Sequence, residues 1–462
     1  MSFRMHNRKL LFKLETIEGT AAAPVEADYI ECIDPTFTVT GRTFERSPTR
    51  KSITPAPLHT VGTGRAAGAP SATVEMSFQI ELAGTGTAAP TVSTAPRWTR
   101  ILKACGLEEH VLSKATVGNI ASTASTLPEV MRSFDRLSSS ATSGGTYTAF
   151  GRAVSDTFYD DGTLYYYLVS GGSHPANSAY VKGAAQSSDS TVQVTASGAG
   201  AADAGLAYMP TSTGALGGSA DTSATIRLYL DNKGDYVEAV GCRGNVEFAF
   251  ASGDRVLLNV TMTGALNAYV VGDGTDINPT ADGTELPPGF VGVALGVAVS
   301  SHASSGDSRA QYEGLVFNTM SVNMGNDTVV RESVSSSTGY DVSYITGRSM
   351  QMTFNPDAVT NATIASQGGA DFWDRFLSGG LTAMDFTVGT EAGNKFLFKM
   401  PAVQFTGIAD GNRDETMVWD SSCTLTGGDY GSSIQERGTT VTTTTAMSDR
   451  LGRDNEFSLI LL

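Results

Sequence analysis

The feature that most constrains this chain is a segment that occurs twice. The first occurrence reads Pro-Thr-Phe-Thr-Val at 35–39 and is followed by Trp-x-Arg-x-Leu at 98–102. The second reads Asn-Thr-Met-Ser-Val at 318–322 and is followed by the same Trp-x-Arg-x-Leu pattern at 373–377. Each copy continues into alternating polar and apolar residues, at 245–250 and at 402–406, and a period of two is typical of β-strands. The repeat therefore predicts two tandem β domains.

Length and composition agree with a β-rich chain of more than one domain. A chain of 462 residues is expected to form two or three domains. Charged residues make up 17% and there are 51 glycines, a balance typical of β structure with many turns. The 47 acidic residues outnumber the 31 basic ones, for a net charge of −16. Such a charge favours solubility and disfavours retention of a phosphate backbone.

The sequence predicts neither membrane binding nor disulfide bonds. Its early apolar run, Leu10-Leu11-Phe12, is far shorter than the roughly 20 residues of a membrane span and too short for a signal peptide. We therefore expect synthesis in a cytoplasm. The cysteines have no C-x-x-C spacing and are expected to be buried apolar residues. They are Cys32, Cys105, Cys242 and Cys423.

No pattern predicts catalysis, a cofactor or a metal site. The chain has no G-x-S-x-G elbow and no phosphate-binding G-x-x-x-x-G-K-[ST] motif. Acidic residues at 273–278 and 282–285 could offer oxygen ligands to calcium, but their spacing is not that of an EF-hand, so polar turns are the better interpretation. The histidines occur singly and are predicted to lie at surfaces or interfaces. They are His6, His59, His110, His174 and His302.

Changes in pattern along the chain predict six segments. We expect an N-terminal arm at 1–29, a first domain at 30–110 plus 223–264, an inserted surface β domain at 111–222, a linker at 265–310, a second domain at 311–427, and a C-terminal arm and strand at 428–462. A short helix is predicted within 96–107, with Trp98, Ile101, Leu102 and Cys105 on one face. Because Trp98 and Trp373 hold equivalent places in the two copies, both are predicted to anchor a core.

The order of these pieces resembles the major tail tube proteins of long-tailed, siphovirus-type bacteriophages, in their two-domain, duplicated variety. The resemblance covers most of the chain outside 111–222 and 428–454. It is carried by Glu-Thr-x-x-Gly-Thr at 15–20, the strand pattern at 74–86 ending in Glu-Leu-Ala-Gly-Thr-Gly, Arg-Ile-Leu-Lys-Ala-Cys-Gly-Leu at 100–107, and the segments 224–230, 243–247 and 322–326, the last leading to Arg331-Glu332.

The resemblance implies a mainly β fold and a structural role. Two tail-tube β-sandwich or barrel domains, each with a short flanking helix, would join their long strands with those of neighbouring subunits in a continuous β-barrel. Three chains would form a ring of pseudo-sixfold symmetry, although six copies of the whole chain remain an alternative. Stacked rings would form the hollow tail tube that conducts genomic DNA into the host.

The same resemblance implies partners and a location. A tape-measure protein would lie in the lumen, a tail terminator and tail-tip or baseplate proteins would bind the ends, and double-stranded DNA would pass without specific binding. The protein would be assembled in the host cytoplasm and reside in the virion tail. Another phage β-structural component, such as a baseplate, decoration or fibre protein, is the alternative function.

Passage of DNA restricts what a lumen can present. A basic lumen would hold the duplex, with non-specific dissociation constants of roughly 10⁻⁴ to 10⁻⁶ M, whereas carboxylates, amides and hydroxyls would let it slide. The period of two shows which polar residues share a face, but not whether that face lines a lumen or meets outside solvent. The candidate lumen residues are Glu75, Gln79, Glu81, Glu247, Asn259, Gln351, Gln404 and Asp420.

Overall fold

The computed structural model shows a mainly β protein, in which the described residues include the α-helix Thr99–Ala104 and helical residues at 373 and 376–377. The structure describes residues 7–41, 43–45, 58–60, 72–87, 90–118, 136–141, 148–152, 158–160, 163–169, 180–182, 193–196, 205–210, 222–231, 233–272, 294–297, 317–335, 339–358, 373, 376–377, 379, 381–389, 391, 393–426, 433–436, 439–442 and 456–462.

The strands of the first copy and of its insertion lie between residues 9 and 270. They are β1 Lys9–Leu14, β2 Tyr29–Ile30, β3 Ile33–Gly41, β4 Thr43–Glu45, β5 Leu58–Thr60, β6 Ala72–Glu81, β7 Leu107–Gly118, β8 Arg136–Ser140, β9 Thr148–Arg152, β10 Phe158–Asp160, β11 Thr163–Val169, β12 Tyr180–Lys182, β13 Gln193–Ala196, β14 Gly205–Pro210, β15 Ala224–Tyr229, β16 Tyr236–Ala251 and β17 Leu257–Val270. The helix α1 spans Thr99–Ala104, after a short 3-10 turn at Glu26–Asp28.

The remaining strands belong to the second copy and the end of the sequence. They are β18 Ala294–Val297, β19 Phe317–Asn323, β20 Asn326–Glu332, β21 Tyr340–Arg348, β22 Gln351–Pro356, β23 Leu381–Val388, β24 Phe396–Arg413, β25 Thr416–Leu425, β26 Ser433–Glu436, β27 Thr439–Thr442 and β28 Ser458–Leu461. The predicted linker at 265–310 thus overlaps the end of β17 and contains β18, which pairs with β23.

Eight antiparallel strands form a sheet to which the two copies contribute four each. Their order is β3-β6-β17-β16-β19-β22-β25-β24. We call this the shared sheet. The copies meet at the β16–β19 pair, where five residues of each strand are in register, from Glu247 opposite Asn323 to Ala251 opposite Thr319. A backbone ladder therefore joins the copies within one chain.

The shared sheet has one apolar face and one polar face because its strands alternate with a period of two. In β6, Val74, Met76, Phe78 and Ile80 are at most 3% exposed, whereas the residues between them are exposed or half-buried. Corresponding residues of the other strands join the same hydrophobic core. The predicted alternation at 73–82 is confirmed.

A second layer covers the apolar face, and part of it comes from the other copy. In the first copy β1 pairs with β15, which pairs with the first half of β16. In the second copy β18, β23 and the first half of β24 make the matching arrangement. The Phe250 ring of the first copy lies 5.1 Å from that of Phe386 and 5.5 Å from that of Phe398. The two copies therefore share one core.

The predicted helix at 96–107 is confirmed as α1, with the expected buried face. Trp98 is 1% exposed, its indole nitrogen donates to the Ala83 carbonyl at 2.8 Å, and its ring lies 6.2 Å from that of Phe396. Trp373 does not match it: 37% of its surface is exposed, and its ring meets those of Phe376 and Trp419 edge-on. The prediction that Trp373 is a core anchor is wrong, because its surroundings in the second copy leave more than a third of its surface in solvent.

The 15–20 motif is a junction between the first copy and the hairpin β20–β21. Glu15 is 8% exposed, and its carboxylate accepts hydrogen bonds from the Gly19 and Gly241 backbone amides and from the Ser223 and Thr225 hydroxyls, at 2.5–2.9 Å. Nearby, the fully buried Arg243 donates to Glu18 and to the carbonyl of Ser343 in β21. The motif is thus linked through Arg243 to the second copy of its own chain.

Two predictions about buried polar and thiol groups had different outcomes. Cys105, Cys242 and Cys423 are buried free thiols, as predicted, whereas Cys32, which was also predicted to be buried, is only half-buried. His110 was predicted at a surface or interface but is only 6% exposed. It lies in β7, opposite Ala207 of β14, where neighbouring strands remove its ring from water. Burial lowers the pKa of His110 to about 4, against an opposing effect of Glu109.

Candidate functional site

The polar face of the shared sheet carries one transverse row of residues that contains five of the eight candidate residues. Successive cross-strand partners run through seven strands, from β6 to β24. The row, which we call the polar rung, is Gln79, Asn259, Glu247, Asn323, Gln351, Thr424 and Gln404. The sequence placed the five candidates on polar faces of separate strands, and the structure brings them into one line with Asn323 and Thr424.

Hydrogen bonds between side chains hold part of this face in place. The Gln79 amide donates to the Asn259 side-chain oxygen at 2.9 Å, and the Asn259 amide donates to the Glu247 carboxylate at 3.4 Å. Across the joint between the copies, the Asn245 amide donates to the Asn323 side-chain oxygen at 2.9 Å. Ser321 and Thr353 share a bond of 2.9 Å on the same face. Amide and hydroxyl groups thus link neighbouring strands on the wet side of the sheet.

The other three candidates lie on the same face, outside the polar rung. Glu75 and Glu81 are four and two residues from Gln79 along β6, and Asp420 is four residues from Thr424 along β25. Glu75 and Asp420 are exposed, and Glu81 forms an ion pair with Arg255. All eight candidates therefore share one surface, in the part of the sheet that the structure describes.

The surface is acidic and neutral, with its arginines in ion pairs. Among the described residues, the eight strands contain no lysine in their shared-sheet portions. Arg255 pairs with Glu81, Arg413 with Asp357, and the buried Arg243 with Glu18. Among the described residues of this face, the carboxylates of Glu75, Glu247 and Asp420 form no ion pair with a lysine or arginine. Chemically, the face can repel an anionic polymer over a screening length of about 8 Å and offers it weak, neutral hydrogen-bonding groups.

Sequence reasoning missed three members of this surface, Asn245, Asn323 and Thr424. Each obeys the same alternation as its neighbours, so the period of two was a sufficient signal for all three. The alternation could not predict that these residues align in one row, because the alignment depends on the register between strands that are far apart in sequence.

The two outer strands of the shared sheet are paired on one side only, in the described part of the chain. β3 pairs with β6, and the second half of β24, from Ile408 to Arg413, pairs with β25. Val39 of β3 lies on the apolar side, opposite Val74, and is nonetheless 41% exposed. An apolar side chain left in solvent at a sheet edge indicates a surface that can be covered by a further strand.

Two other observations concern metal ligands and membrane spans. Within the ranges that the structure describes, no group of three or more His, Cys, Asp or Glu residues is placed to hold a metal ion. The acidic turns at 273–278 and 282–285 lie outside the described residues. The described helical residues include no stretch long and apolar enough to cross a bilayer.

A scan against protein-family models finds no match, and a search of curated proteins finds none either.

Proposed function

We propose that this protein is a structural subunit that polymerises as stacked rings into a hollow phage tail tube and that the polar face of the shared sheet lines its lumen. The rings would be trimers of pseudo-sixfold symmetry, because each chain supplies two equivalent four-stranded units. This proposal follows the resemblance noted in the sequence and adds the arrangement of the strands.

The observation that carries the proposal is the β16–β19 joint. In the order of the shared sheet, β16 is the fourth strand of the first unit and β19 is the first strand of the second. These two strands pair edge to edge. The chain ends its shared sheet with the same kinds of strand: β3 opens the first unit and β24 closes the second. Pairing β24 of one chain with β3 of the next would repeat between chains the joint already made within the chain.

Repetition of that joint around a ring would remove every open edge of the sheet. A closed barrel has no edge strands and is protected from unspecific strand pairing. It would also cover Val39, which explains an exposed apolar residue on the dry side of β3. Stacking of identical rings is a head-to-tail contact that does not close, so a tube of unrestricted length follows. A tape-measure protein in the lumen would determine the length of the tube.

The charge of the polar face suits a conduit for DNA. Glu75, Glu247 and Asp420 would repel phosphates, and the amides and hydroxyls of the polar rung offer no strong electrostatic hold. A duplex would therefore slide along the lumen instead of binding to it.

Electron microscopy of the purified protein tests the proposal. We expect hollow tubes with a regular ring repeat, and a mass measurement on a detached ring should give three chains. Isolated monomers or solid fibres would contradict the tube.

A pair of valine variants tests the edge joint itself. Val39→Lys places a charge on the open edge strand β3, whereas Val25→Lys changes a residue that is 55% exposed and lies outside the shared sheet. Edge lysines oppose strand pairing, so Val39→Lys should abolish tubes and Val25→Lys should not. Equal assembly of both variants would argue against the β24–β3 joint.

A further inference from the structure

The strand at the end of the sequence, β28, fills a groove between two strands that are distant from it in the chain. Ile460 lies opposite Ala207 of β14 on one side and opposite Leu397 of β24 on the other. Both pairings are antiparallel. We call the space between β14 and residues 396–399 of β24 the acceptor groove.

The acceptor groove encloses β28 on all sides. Phe457, Ser458, Leu459 and Ile460 are 0% exposed, and the Phe457 ring lies 5.9 Å from that of Phe248. Main-chain bonds continue past the strand: the Gly393 amide donates to the Leu462 carbonyl at 2.8 Å, and the Leu462 amide donates to the Lys395 carbonyl at 3.0 Å. The strand thus has the burial of a central strand and not of a terminal extension.

The walls of the groove are shaped to the backbone of β28. Gly205 of β14 has a φ of 129°, and a Cβ there would lie 2.1 Å from the Leu461 carbonyl oxygen. At the other end, Arg348 donates to the carboxylate of Glu456 at 2.6 Å. Shape and charge therefore both fit residues 456–462.

The connection to β28 is much longer than its position requires. Leu425, the last residue of β25, lies opposite Val403 of β24, and Ser458 lies opposite Lys399, four residues away on the same strand. Four strand residues correspond to about 13 Å, whereas residues 426–457 can extend to about 105 Å. Even beyond β27, residues 443–457 can span about 50 Å, close to the diameter expected for a compact chain of this size.

We propose that in the assembled tube the acceptor groove is filled by residues 456–462 of a second copy of the chain, so that neighbouring subunits are tied together by exchanged strands. The inference rests on the proposed function, because exchange requires neighbouring copies. The contacts of β28 are the same whether the strand comes from its own chain or from another, so exchange costs no contact energy. High local concentration of neighbours in a tube favours it.

Cysteine pairs can distinguish the two sources of the strand. Ala207 and Ile460 are direct cross-strand partners, and the Cα separation of such partners, about 4.5–5.5 Å, suits a disulfide. The double variant Ala207→Cys/Ile460→Cys would be assembled under reducing conditions and then oxidised. Exchange predicts covalent multimers on a denaturing, non-reducing gel. A disulfide found only within monomers, or no disulfide at all, would overturn the proposal.

Mixed assemblies make the result independent of the double variant. Chains carrying only Ala207→Cys and chains carrying only Ile460→Cys would be combined, so that a disulfide between these positions must join two chains. Exchange predicts a covalent dimer, and its absence refutes exchange. The matched control is Val246→Cys/Val260→Cys on β16 and β17, which are linked by a short turn and must give a monomer band.

Microscopy of the same samples separates the two proposals. If the unmodified protein forms no tubes, the proposed function fails. If tubes form and the disulfide between positions 207 and 460 is found only within monomers, the proposed function is retained and strand exchange alone is wrong.

Discussion

Glu247 of β16, in the first copy, lies directly opposite Asn323 of β19, in the second copy. This pairing places the duplicated units in one hydrogen-bonded sheet instead of in separate bodies connected by a linker. Arg243 adds a second link, because its buried guanidinium donates to Glu18 and to Ser343 of the second copy's hairpin. The chain therefore already contains one complete joint between repeating units, and in the proposed ring other copies would supply the joint at its outer edges.

The two tryptophans of the repeat are expected to differ in their effect on stability. Trp98→Ala should lower the free energy of unfolding by about 3–5 kcal/mol, because the side chain is 1% exposed and its indole is hydrogen-bonded. Trp373→Ala should lower it by less, since 37% of that residue is exposed. Urea unfolding followed by circular dichroism measures both values. Equal losses would show that Trp373 is as important to the folded chain as Trp98.

The alternation of polar and apolar residues was enough to predict the character of the fold and of the candidate surface. In β6 it assigned Val74 and Phe78 to the core and Glu75 and Gln79 to the wet face, and the structure agrees. Local spacing also predicted the buried face of α1. These features depend on residues that are close together in sequence, so the local sequence pattern was sufficient to predict them.

Features that depend on distant partners were not predictable in the same way. Nothing local distinguishes β19 as the neighbour of β16, or places β28 between β14 and β24. Register between such strands is decided by the packing of whole faces. The prediction that His110 lies at a surface or interface was wrong for the same reason. Its polar side chain suggested exposure, but its strand is covered by other strands. Equivalent positions in a repeat, such as Trp98 and Trp373, also differ when their surroundings differ.

Glu15 is expected to be essential to the junction formed by the 15–20 motif. Glu15→Ala would leave buried amide and hydroxyl donors without their acceptor, at a cost of about 1–3 kcal/mol for each group left unsatisfied. Glu31→Ala, at an exposed position in the same part of the chain, should change stability by less than about 0.5 kcal/mol. Thermal or urea unfolding of the two variants gives the comparison. A tolerated Glu15→Ala would mean that water replaces the carboxylate.

His110 is expected to make the protein less stable in acid. Its pKa is about 4 in the folded chain because burial disfavours the charged ring, against an ordinary value of 6.5. Between these values the unfolded chain binds a proton that the folded chain does not. Stability should therefore fall as the pH is lowered from 6.5 to 4, by up to about 3 kcal/mol.

A non-titrating variant isolates this contribution from that of the carboxylates. In His110→Phe, the loss of stability between pH 7 and pH 4 should be smaller than in the unmodified protein by about the same amount. Urea unfolding at a series of pH values measures the difference. Parallel pH profiles for the two proteins would show that His110 is protonated equally in the folded and unfolded states.

Glu247 offers the most direct test of the polar face as a passage for DNA. Glu247→Lys would replace a carboxylate by a cation beside Asn259 in the polar rung, once for every chain of a ring, whereas Glu247→Gln removes the charge alone. Because each neutralised phosphate releases counterions, the lysine variant should retain DNA in purified tubes, and retention should weaken steeply as salt is raised. The glutamine variant should retain little DNA at any salt concentration. Both tubes would first be compared by electron microscopy to establish that assembly is unchanged. If the lysine tubes hold no more DNA than the glutamine tubes, Glu247 does not face the path of the nucleic acid, and the polar face must meet outside solvent.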